Sequence, residues 1–286
     1  MDATSLKPYL SVTDFSVSKE QFELYHNESL DMLITTPQPM GAELAKYYES
    51  EDYISHTDGK RSFFEKIYHF IKNIALKNKR TLINSYHTEK GRILDIGAGT
   101  GDFLSCMRKD GWDAVGIEPN EKAKYSAIQK GVSFGSDLNE FENHSFDVIT
   151  MWHVLEHVPN PDHQIMELKR LLKKRGTLFV AVPNFNSYDA KWYGQYWAAF
   201  DVPRHLWHFS KTAIRKLFAL QHMEVVKIIP MKFDAYYVSL LSEKYKNGKM
   251  NFFQAFLTGW RSNRRAKTHL EYSSHIYAIK NEKNKI

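Results

Sequence analysis

Apolar residues follow two different spacings along this chain, and each spacing predicts one type of element. Between residues 9 and 36 they alternate with polar residues on both sides of a polar stretch at 26–29, which predicts paired β-strands. Residues 40–49 are typical of a short helix. From Lys60 to Ile83 the apolar positions 63, 64, 67, 71 and 74 recur at helical spacing, so we expect a long amphipathic helix there.

Beyond His87, short apolar runs alternate with helix-length segments. The strand candidates are Arg92–Ile96, Ala114–Ile117, Val132–Phe134, Phe146–Met151, Thr177–Val182, Val225–Pro230 and His275–Ile279. The helix candidates between them are Phe103–Lys109, Glu121–Lys130 and Asp162–Lys173. This alternation predicts an α/β fold in which helices cover both faces of a seven-stranded, mainly parallel sheet.

Two parts of the chain interrupt this alternation. Residues 184–210 are aromatic and loop-like, and residues 231–273 form a helical insertion before the last strand. We therefore divide the chain into a small N-terminal β-hairpin and cap module at 1–59 and a larger domain at 60–286. Residues 184–210 are called the lid segment below.

The positive charge of the chain is concentrated near one end. Lys and Arg total 39 against 33 Asp and Glu, a formal charge of +6, yet residues 244–286 alone carry ten basic and two acidic side chains. The remainder is therefore close to neutral. A basic segment indicates either an anionic group on a partner or a solvated helix surface, and this one matches no nucleic-acid-binding motif.

Composition limits the class of protein further. The single cysteine, Cys106, excludes an internal disulfide framework and an all-cysteine zinc site. The first residues lack the basic-then-apolar pattern of a secretory signal. No apolar run reaches the roughly 18 residues that a membrane span requires. These features predict a soluble, cytoplasmic protein with no membrane partner.

A glycine-rich loop follows the first strand of the α/β region. Gly97, Gly99 and Gly101 stand between an apolar run and a predicted helix, where glycine permits a tight turn and the close approach of a ligand. Dinucleotide-binding motifs would place the third glycine at Asp102 instead. Because an acidic side chain at the helix start disfavours a pyrophosphate, the loop predicts a ligand without one.

Two acidic residues complete the pattern. Glu118 lies 21 residues after Gly97, where nucleotide-binding folds carry the acid that binds the ribose hydroxyls. Asp95, at the end of the first strand, can accept hydrogen bonds from ligand amino groups. The loop and the two acids therefore predict a site for a nucleoside with a short polar appendage.

This pattern resembles the class I S-adenosylmethionine-dependent methyltransferases over roughly residues 88–230 and the last strand. The resemblance implies a Rossmann-like, doubly wound fold, S-adenosyl-L-methionine as cofactor and S-adenosyl-L-homocysteine as product. It implies that the glycine loop lies under the methionine part, that Glu118 holds the ribose, and that Asp137 receives the adenine amino group. The cofactor-binding residues that it implies are Asp95, Gly97, Ala98, Gly99, Gly101, Glu118, Pro119, Asp137, Leu138, Met151, Trp152, His153 and Tyr53.

The segment after the fourth strand also resembles a metal-binding motif. His153-Val-Leu-Glu156-His157 matches the inverted zinc-peptidase pattern H-x-x-E-H. Pro159 and Pro161 interrupt the helix that such a motif needs, and the methyltransferase resemblance accounts for the same residues. We therefore predict no bound metal.

The N-terminal hairpin resembles a small zinc-binding module that some bacterial methyltransferases carry. Asn27 and Leu30 stand where the cysteine ligands of that module would be. We therefore predict no zinc there, and we expect hairpin packing in its place.

The lid segment carries candidates for acceptor recognition and catalysis. Its many aromatic residues suit a flat or apolar acceptor or a cation–π contact with the sulfonium, and they are equally consistent with a packed hydrophobic lid. The candidate general bases are His205, His208 and His153. Asp201 would orient one of them, and Arg204 would bind an anionic acceptor group or pair with Asp201.

The resemblance implies methyl transfer to a small-molecule acceptor, which the lid and the basic segment suggest to be aromatic or anionic. Met151-Trp-His-Val154 stands where methyltransferases that act on the amino groups of bases carry N-P-P-Y, which favours an oxygen or carbon acceptor. Two alternatives stay open. One is a scaffold that binds S-adenosylmethionine without catalysis. The other is a nucleic-acid methyltransferase that uses the basic C-terminal region, although no motif supports nucleic acid as a partner. The oligomeric state is left open.

Overall fold

The computed structural model describes residues 6–48 and 63–282, except for the side chains of residues 42 and 63–71. In chain order, its strands are β1 (Leu6–Thr13), β2 (Gln21–Asn27), β3 (Met32–Thr36), β4 (Arg92–Ile96), β5 (Asp113–Ile117), β6 (Ser133–Phe134), β7 (Phe146–Trp152), β8 (Leu172–Pro183), β9 (Trp207–Phe209), β10 (Met223–Pro230) and β11 (Ser274–Asn281). Its helices are α1 (Ala42–Lys46), α2 (Phe63–Tyr86), α3 (Asp102–Lys109), α4 (Glu121–Ile128), α5 (Pro161–Leu171), α6 (Tyr188–Tyr193), α7 (Lys211–Leu220), α8 (Asp234–Asn247) and α9 (Phe252–His269). Among the described helices, none combines the length and the apolar character needed to cross a membrane.

The larger sheet has the strand order β10–β11–β8–β7–β4–β5–β6. The five strands from β8 to β6 in this order are parallel, whereas β11 runs antiparallel to both β8 and β10. The predicted seven-stranded, mainly parallel sheet is therefore confirmed. The connections turn toward opposite edges at β4 and β7, so a crevice opens beyond the carboxyl ends of these two strands, where ligands bind in such sheets.

The central strands are buried on both faces of the sheet. Leu94 of β4 and Ile149 of β7 belong to one hydrophobic core, and their neighbours Ile93 and Val148 belong to the core on the opposite face. All four side chains are fully buried. Helices on both faces account for this pattern, which holds the strand ends in fixed positions.

β1, β2, β3 and β9 form a second sheet that is antiparallel throughout. β9 comes from the lid segment, as does α6, so the prediction that this segment is loop-like is wrong at these two elements. The three-residue strand β9 is defined by its pairing with β3, which is distant in sequence. The N-terminal hairpins thus share a sheet with the larger part of the chain, and the domain boundary at residue 59 stays a prediction.

Side-chain hydrogen bonds hold the polar turn between β2 and β3. Asn27 is buried, and its Oδ1 accepts hydrogen bonds from the Leu30 N–H at 3.0 Å and the Ser29 hydroxyl at 2.7 Å. These bonds stabilise the turn at the positions where the zinc-module resemblance would place cysteines.

Most aromatic residues of the lid segment pack into a core of their own. Tyr193, Trp197 and Phe200 are buried in a cluster that also contains Leu24 and Leu33 of the N-terminal sheet. The Trp197 indole donates to the Asp189 carboxylate at 2.8 Å, and the Tyr193 hydroxyl donates to Glu243 at 3.0 Å. These side chains therefore act as a packed hydrophobic lid that joins the lid segment and α8 to the N-terminal sheet.

A buried ion pair also joins the lid segment to the N-terminal sheet. Arg204 donates to Asp201 at 2.7 Å and to Asp14 at 3.0 Å, and both its side chain and that of Asp14 are almost fully buried. Although burial opposes ionisation, hydrogen bonds from Arg204 and from the loop residue Ser18 hold the pKa of Asp14 well below its ordinary value. Arg204 therefore pairs within the protein, as one of its two predicted roles requires.

Replacing Arg204 by methionine is expected to lower the free energy of unfolding by about 3–5 kcal/mol, because the substitution leaves the Asp14 carboxylate buried without its partner. Chemical denaturation at neutral pH measures this loss. The matched control is Lys7→Met, which removes an exposed ion pair with Glu28 in the same sheet and should cost less than about 1 kcal/mol. Equal losses in the two variants would contradict a structural role for the buried pair.

Candidate active site

The loop between β4 and α3 adopts backbone conformations that favour glycine. Gly97, Gly99 and Gly101 have φ angles of 70°, 53° and 72°. A Cβ atom on Gly97 would lie 2.4 Å from the Val154 side chain, so this loop packs directly against the segment after β7. A Cβ atom on Gly99 would meet no atom within 4 Å. The backbone at Gly99 is therefore the point at which a ligand can approach the loop closely.

Glu118 follows β5 and reaches across to the glycine loop. Its Oε2 accepts a hydrogen bond from the Gly99 N–H at 2.7 Å, and its Oε1 accepts one from the Asn120 N–H at 2.8 Å. The structure thus brings the predicted ribose-binding acid and the predicted cofactor loop into direct contact. A carboxylate fixed by two backbone donors keeps lone pairs for ligand hydroxyls.

Asp95 ends β4 as a buried acid beneath this loop. Its Oδ1 accepts a hydrogen bond from the Thr150 hydroxyl of β7 at 2.6 Å. Burial raises the pKa of Asp95 to about 7, although the Thr150 bond and the nearby Lys79 ammonium act in the opposite direction. Near neutral pH this carboxyl therefore lies close to the midpoint of its titration, where a ligand amino group can draw it into the ionised form.

Asp95→Asn is expected to remove a pH-dependent cost of folding. Because the folded-state pKa is raised to about 7 from an ordinary value of 3.8, the folded protein keeps a proton that the unfolded chain has lost. The free energy of unfolding therefore falls as pH rises between about 4 and 7, by up to about 4 kcal/mol from this group. Urea denaturation across that range should show a smaller decline for the variant.

The matched control for this prediction is Asp113→Asn, which changes an exposed carboxyl on the adjacent strand β5. Its stability curve should run parallel to that of the wild-type protein. Parallel curves for wild type and Asp95→Asn would contradict the raised pKa.

The predicted adenine-binding residues follow β6, the strand next to β5. Asp137 is exposed, and its Oδ1 accepts a hydrogen bond from the Asn139 N–H at 3.0 Å at the start of a short 3₁₀ turn. Leu138 packs against the main core, and Pro119 is exposed directly after Glu118. Adjacent strands thus carry the predicted ribose and adenine positions, and the individual assignments stay predictions.

The end of β7 places three predicted residues beside the glycine loop. Met151 is buried, and Trp152 lies against Lys79 of α2, whose Nζ is 4.1 Å from the centre of its ring. Burial lowers the pKa of Lys79. Sequence reasoning missed Lys79 and Thr150, because neither belongs to a local motif. His153 follows with a positive φ of 58°, a backbone conformation that turns the chain away from the strand.

His153 lies between two carboxylates. Its Nδ1 is 3.3 Å from Glu156 Oε1, and its Nε2 is 3.2 Å from Asp234 Oδ2 at the start of α8. Although burial disfavours the charged ring, these two acids raise the pKa of His153 to about 10. In this arrangement the ring is protonated at neutral pH and has no lone pair with which to accept a proton. Asp234 was not predicted, since it comes from the helical insertion.

A carboxylate and two imidazoles form a compact cluster next to His153. Glu156, His157 and His205 each offer one ligand atom within 4.8 Å of the others, and we call them the acceptor cluster. Glu156 is 1% exposed; its Oε1 is paired with His153 Nδ1 at 3.3 Å, and its Oε2 has no hydrogen-bond partner among the described residues. The rings of His157 and His205 meet edge to face, with their centres 4.5 Å apart.

Backbone carbonyls fix the orientation of both imidazoles in the acceptor cluster. His157 Nδ1 lies 3.0 Å from the Arg204 carbonyl, and His205 Nδ1 lies 2.9 Å from the Ala199 carbonyl. A carbonyl can only accept, so His205 Nδ1 carries the proton and its neutral ring has its lone pair on Nε2. His157 Nδ1 also lies 3.0 Å from the Tyr48 hydroxyl, which can donate or accept. Burial and the neighbouring His205 lower the pKa of His157 to about 4. The cluster can therefore receive a proton or hold a cation.

The third histidine of the lid lies farther into the protein. The ring of His208 is buried, and its Nε2 is 3.0 Å from the Thr35 hydroxyl of β3. Burial lowers the pKa of His208 well below its ordinary value. This contact adds a side-chain link to the pairing of β9 with β3 in the N-terminal sheet. Tyr53, predicted to cap the cofactor pocket, lies outside the described residues.

Comparison with known sequences places this site in a family. The methyltransferase domain family matches residues 64–228, which is more than half of the chain. The ubiquinone biosynthesis O-methyltransferase of Haemophilus ducreyi is 32% identical over 158 residues, which cover 50% of this chain and 64% of that protein. The protein of the same name from Pectobacterium carotovorum is 30% identical over 106 residues, covering 34% and 44%. The chain thus spans between about two fifths and two thirds of these relatives.

Solved structures share the fold at low sequence identity. Magnesium protoporphyrin IX methyltransferase from Synechocystis PCC 6803, with bound S-adenosylhomocysteine, has a TM-score of 0.54 and 15% identity over 82% of this chain and 97% of its own. Phosphoethanolamine N-methyltransferase 2 from Haemonchus contortus has a TM-score of 0.54 and 13% identity, covering 93% and 70%. With the matched domain, the strand order and the contact between glycine loop and acid, these findings show that the chain belongs to the class I S-adenosylmethionine-dependent methyltransferases.

Proposed function

We propose that this protein transfers the methyl group of S-adenosylmethionine to a hydroxyl oxygen of a small molecule. The observation that carries the proposal is the acceptor cluster of Glu156, His157 and His205. It begins two residues after Val154, whose side chain packs against Gly97 in the cofactor loop. Val154, which packs against the cofactor loop, and two of the three cluster residues therefore lie in one short segment, which His205 joins from the lid segment.

The chemistry of the acceptor cluster suits oxygen. In the transfer, the bond from sulfur to the methyl carbon breaks while a bond from that carbon to the acceptor oxygen forms, and the hydroxyl proton must leave. An oxygen acceptor gains most from a group that takes or displaces this proton. Among the candidate bases, His205 has its Nε2 3.9 Å from the carboxylate of Asp201, the acid predicted to orient a histidine, whereas His153 is protonated. The relatives named as O-methyltransferases support the same choice.

The same three side chains also fit a divalent cation, contrary to the sequence-based expectation of no metal. Glu156 Oε2, which has no hydrogen-bond partner among the described residues, and one nitrogen of each imidazole make a suitable donor set. The carbonyl that accepts from the His205 Nδ1–H provides the outer contact typical of a metal-binding histidine. A bound cation would lower the pKa of an acceptor hydroxyl. Glu156, His157 and His205 would hold it.

A transfer assay with an acceptor panel tests the proposed function. The purified protein is incubated with S-adenosylmethionine carrying a labelled methyl group and with phenols, alcohols, amines and thiols, with and without added magnesium or manganese. We expect label in the hydroxyl compounds, with flat aromatic or anionic acceptors first among them. Label only in amines would overturn the oxygen assignment.

The same assay separates the two rival functions. Binding of S-adenosylhomocysteine without transfer to any acceptor would favour the scaffold. Transfer to RNA or DNA together with salt-sensitive retention on nucleic acid would favour the nucleic-acid methyltransferase. A cytoplasmic location stays a prediction.

A further inference from the structure

Helix α9 has large aromatic side chains on its outer side and small ones on its inner side. Its buried residues are Ala255, Thr258, Gly259, Ser262 and Ala266. These are small because α8 crosses closely: a Cβ atom on Gly259 would lie 2.6 Å from the Tyr236 ring. On the outer side, Phe253 is 78% exposed, Phe256 63% and Trp260 43%. Packing inside the protein explains the small residues and one side of Phe256, which stacks on the Tyr236 ring at 5.5 Å, and it leaves the exposed surfaces of the three aromatics unexplained.

The aromatic stripe continues into a basic one. Phe253, Phe256, Trp260, Arg264 and Lys267 follow each other at three- and four-residue spacing and therefore lie on one face of α9. Both cations are exposed, and the Arg264 guanidinium lies over the Trp260 ring at 5.3 Å. The helix contains no Asp or Glu. Its outward face, defined by these five residues, thus combines apolar rings with uncompensated positive charge.

Exposed residues of the same character flank α9 and α8. Lys249 and Met250 are exposed in the turn that precedes α9, and Phe233 is 49% exposed just before α8. The next residue, Asp234, is the partner of His153 in the candidate active site. The Asn263 side chain of α9 donates to the Lys232 carbonyl at 2.8 Å, so α9 is fixed to the segment that carries Asp234.

We propose that the outward face of α9 docks this protein on the surface of an anionic lipid membrane. Tryptophan and phenylalanine rings partition into the headgroup region, and lysine and arginine beside them bind anionic headgroups. A second copy of the chain is a poor occupant, because the face that both copies would bring to a two-fold contact carries Arg264 and Lys267 and no acidic side chain to pair with them. The docking is peripheral and differs from the sequence-based expectation of no membrane partner, which rested on the lack of a spanning segment.

Vesicle co-sedimentation of the full chain, without cofactor, tests this proposal. We expect binding to vesicles of phosphatidylcholine mixed with phosphatidylglycerol, at least about tenfold weaker binding to phosphatidylcholine alone, and weaker binding at high salt. The double variant Phe253→Ser/Phe256→Ser should lose about tenfold or more in partitioning, because its rings no longer enter the interface. Arg264→Gln/Lys267→Gln should lose about fivefold for each cation removed.

The matched control is Tyr125→Ser, which removes a ring that is 66% exposed on α4, outside the outward face. It should bind vesicles like the wild type. Equal binding to both vesicle types, or unchanged binding of Phe253→Ser/Phe256→Ser, would overturn the proposal. So would reversible self-association of the wild type that this double variant abolishes, since the face would then be a contact between copies. Because the assay needs neither cofactor nor acceptor, its failure is distinct from failure of the proposed methyl transfer.

Discussion

Glu118→Ala is expected to weaken binding of S-adenosylhomocysteine at least about 100-fold. In the proposed complex, the carboxylate accepts hydrogen bonds from both ribose hydroxyls. Each bond to a charged acceptor contributes about 1.5–3 kcal/mol, and about 1.4 kcal/mol corresponds to a tenfold change in affinity. The variant also releases the Gly99 N–H that Glu118 holds at 2.7 Å, so the cofactor loop loses its fixed position.

Isothermal titration calorimetry measures this affinity, and a graded series makes the result specific. Glu118→Gln keeps an acceptor oxygen and should lose only about tenfold. Glu121→Gln changes an exposed carboxylate three residues away in α4 and should bind as the wild type does. Thermal unfolding of each variant checks that the fold is intact. Wild-type affinity in Glu118→Ala, with an intact fold, would contradict the cofactor assignment.

The cofactor half of the site could be predicted because its chemistry depends on one short loop and one spaced acid. Gly97, Gly99 and Gly101 each have a positive φ, so a local backbone requirement shows directly in the sequence. Lys79 and Thr150 could not be found in this way. Their role depends on contact with Asp95 and Trp152, which only the packing of α2 and β7 creates.

The same contrast holds for the elements of the fold. Periodicity located the central strands, because strands buried on both faces are continuous apolar runs. It placed the end of α5 at Lys173, whereas the helix ends at Leu171 because Leu172 begins β8 and pairs with Phe146 of β7. β9 was missed for the same reason, since pairing with β3 defines it. Boundaries that depend on distant partners leave no local signal.

The acceptor cluster shows that a local motif can contain only part of a group of side chains that meet in the structure. The H-x-x-E-H pattern stands at 153–157, and Pro159 and Pro161 after it argue against a helical metal site. The acceptor cluster does not depend on a helix, because its third member, His205, belongs to the lid segment and lies next to Glu156 and His157. That third group is 48 residues farther along the chain than His157, so spacing could not reveal it.

Glu156→Gln is expected to lower methyl transfer about 100- to 10,000-fold, which is the range of rate enhancement that positioned acid–base groups provide. The affinity for S-adenosylhomocysteine should stay within about threefold of the wild-type value. The carboxamide keeps the size of the side chain but removes the negative charge that faces His157 and His205. Because Glu156 is paired with His153 and faces His157 and His205, whereas Val154 is the residue that packs against Gly97 of the cofactor loop, the loss should fall on turnover and spare cofactor binding.

The matched control is Glu243→Gln, which changes an equally buried carboxylate that accepts hydrogen bonds from Tyr193 and Asn247. It should cost stability without comparable loss of transfer, so a general effect of altering a buried acid is separated from a role at the acceptor.

Dialysis against a chelator then distinguishes the two ways in which the cluster can act. If the wild type loses transfer and magnesium or manganese restores it, the cluster holds a cation. If chelation changes nothing while Glu156→Gln stays inactive, the cluster acts as a proton acceptor built from His205 and Glu156. Full activity in Glu156→Gln would place the acceptor elsewhere and contradict both.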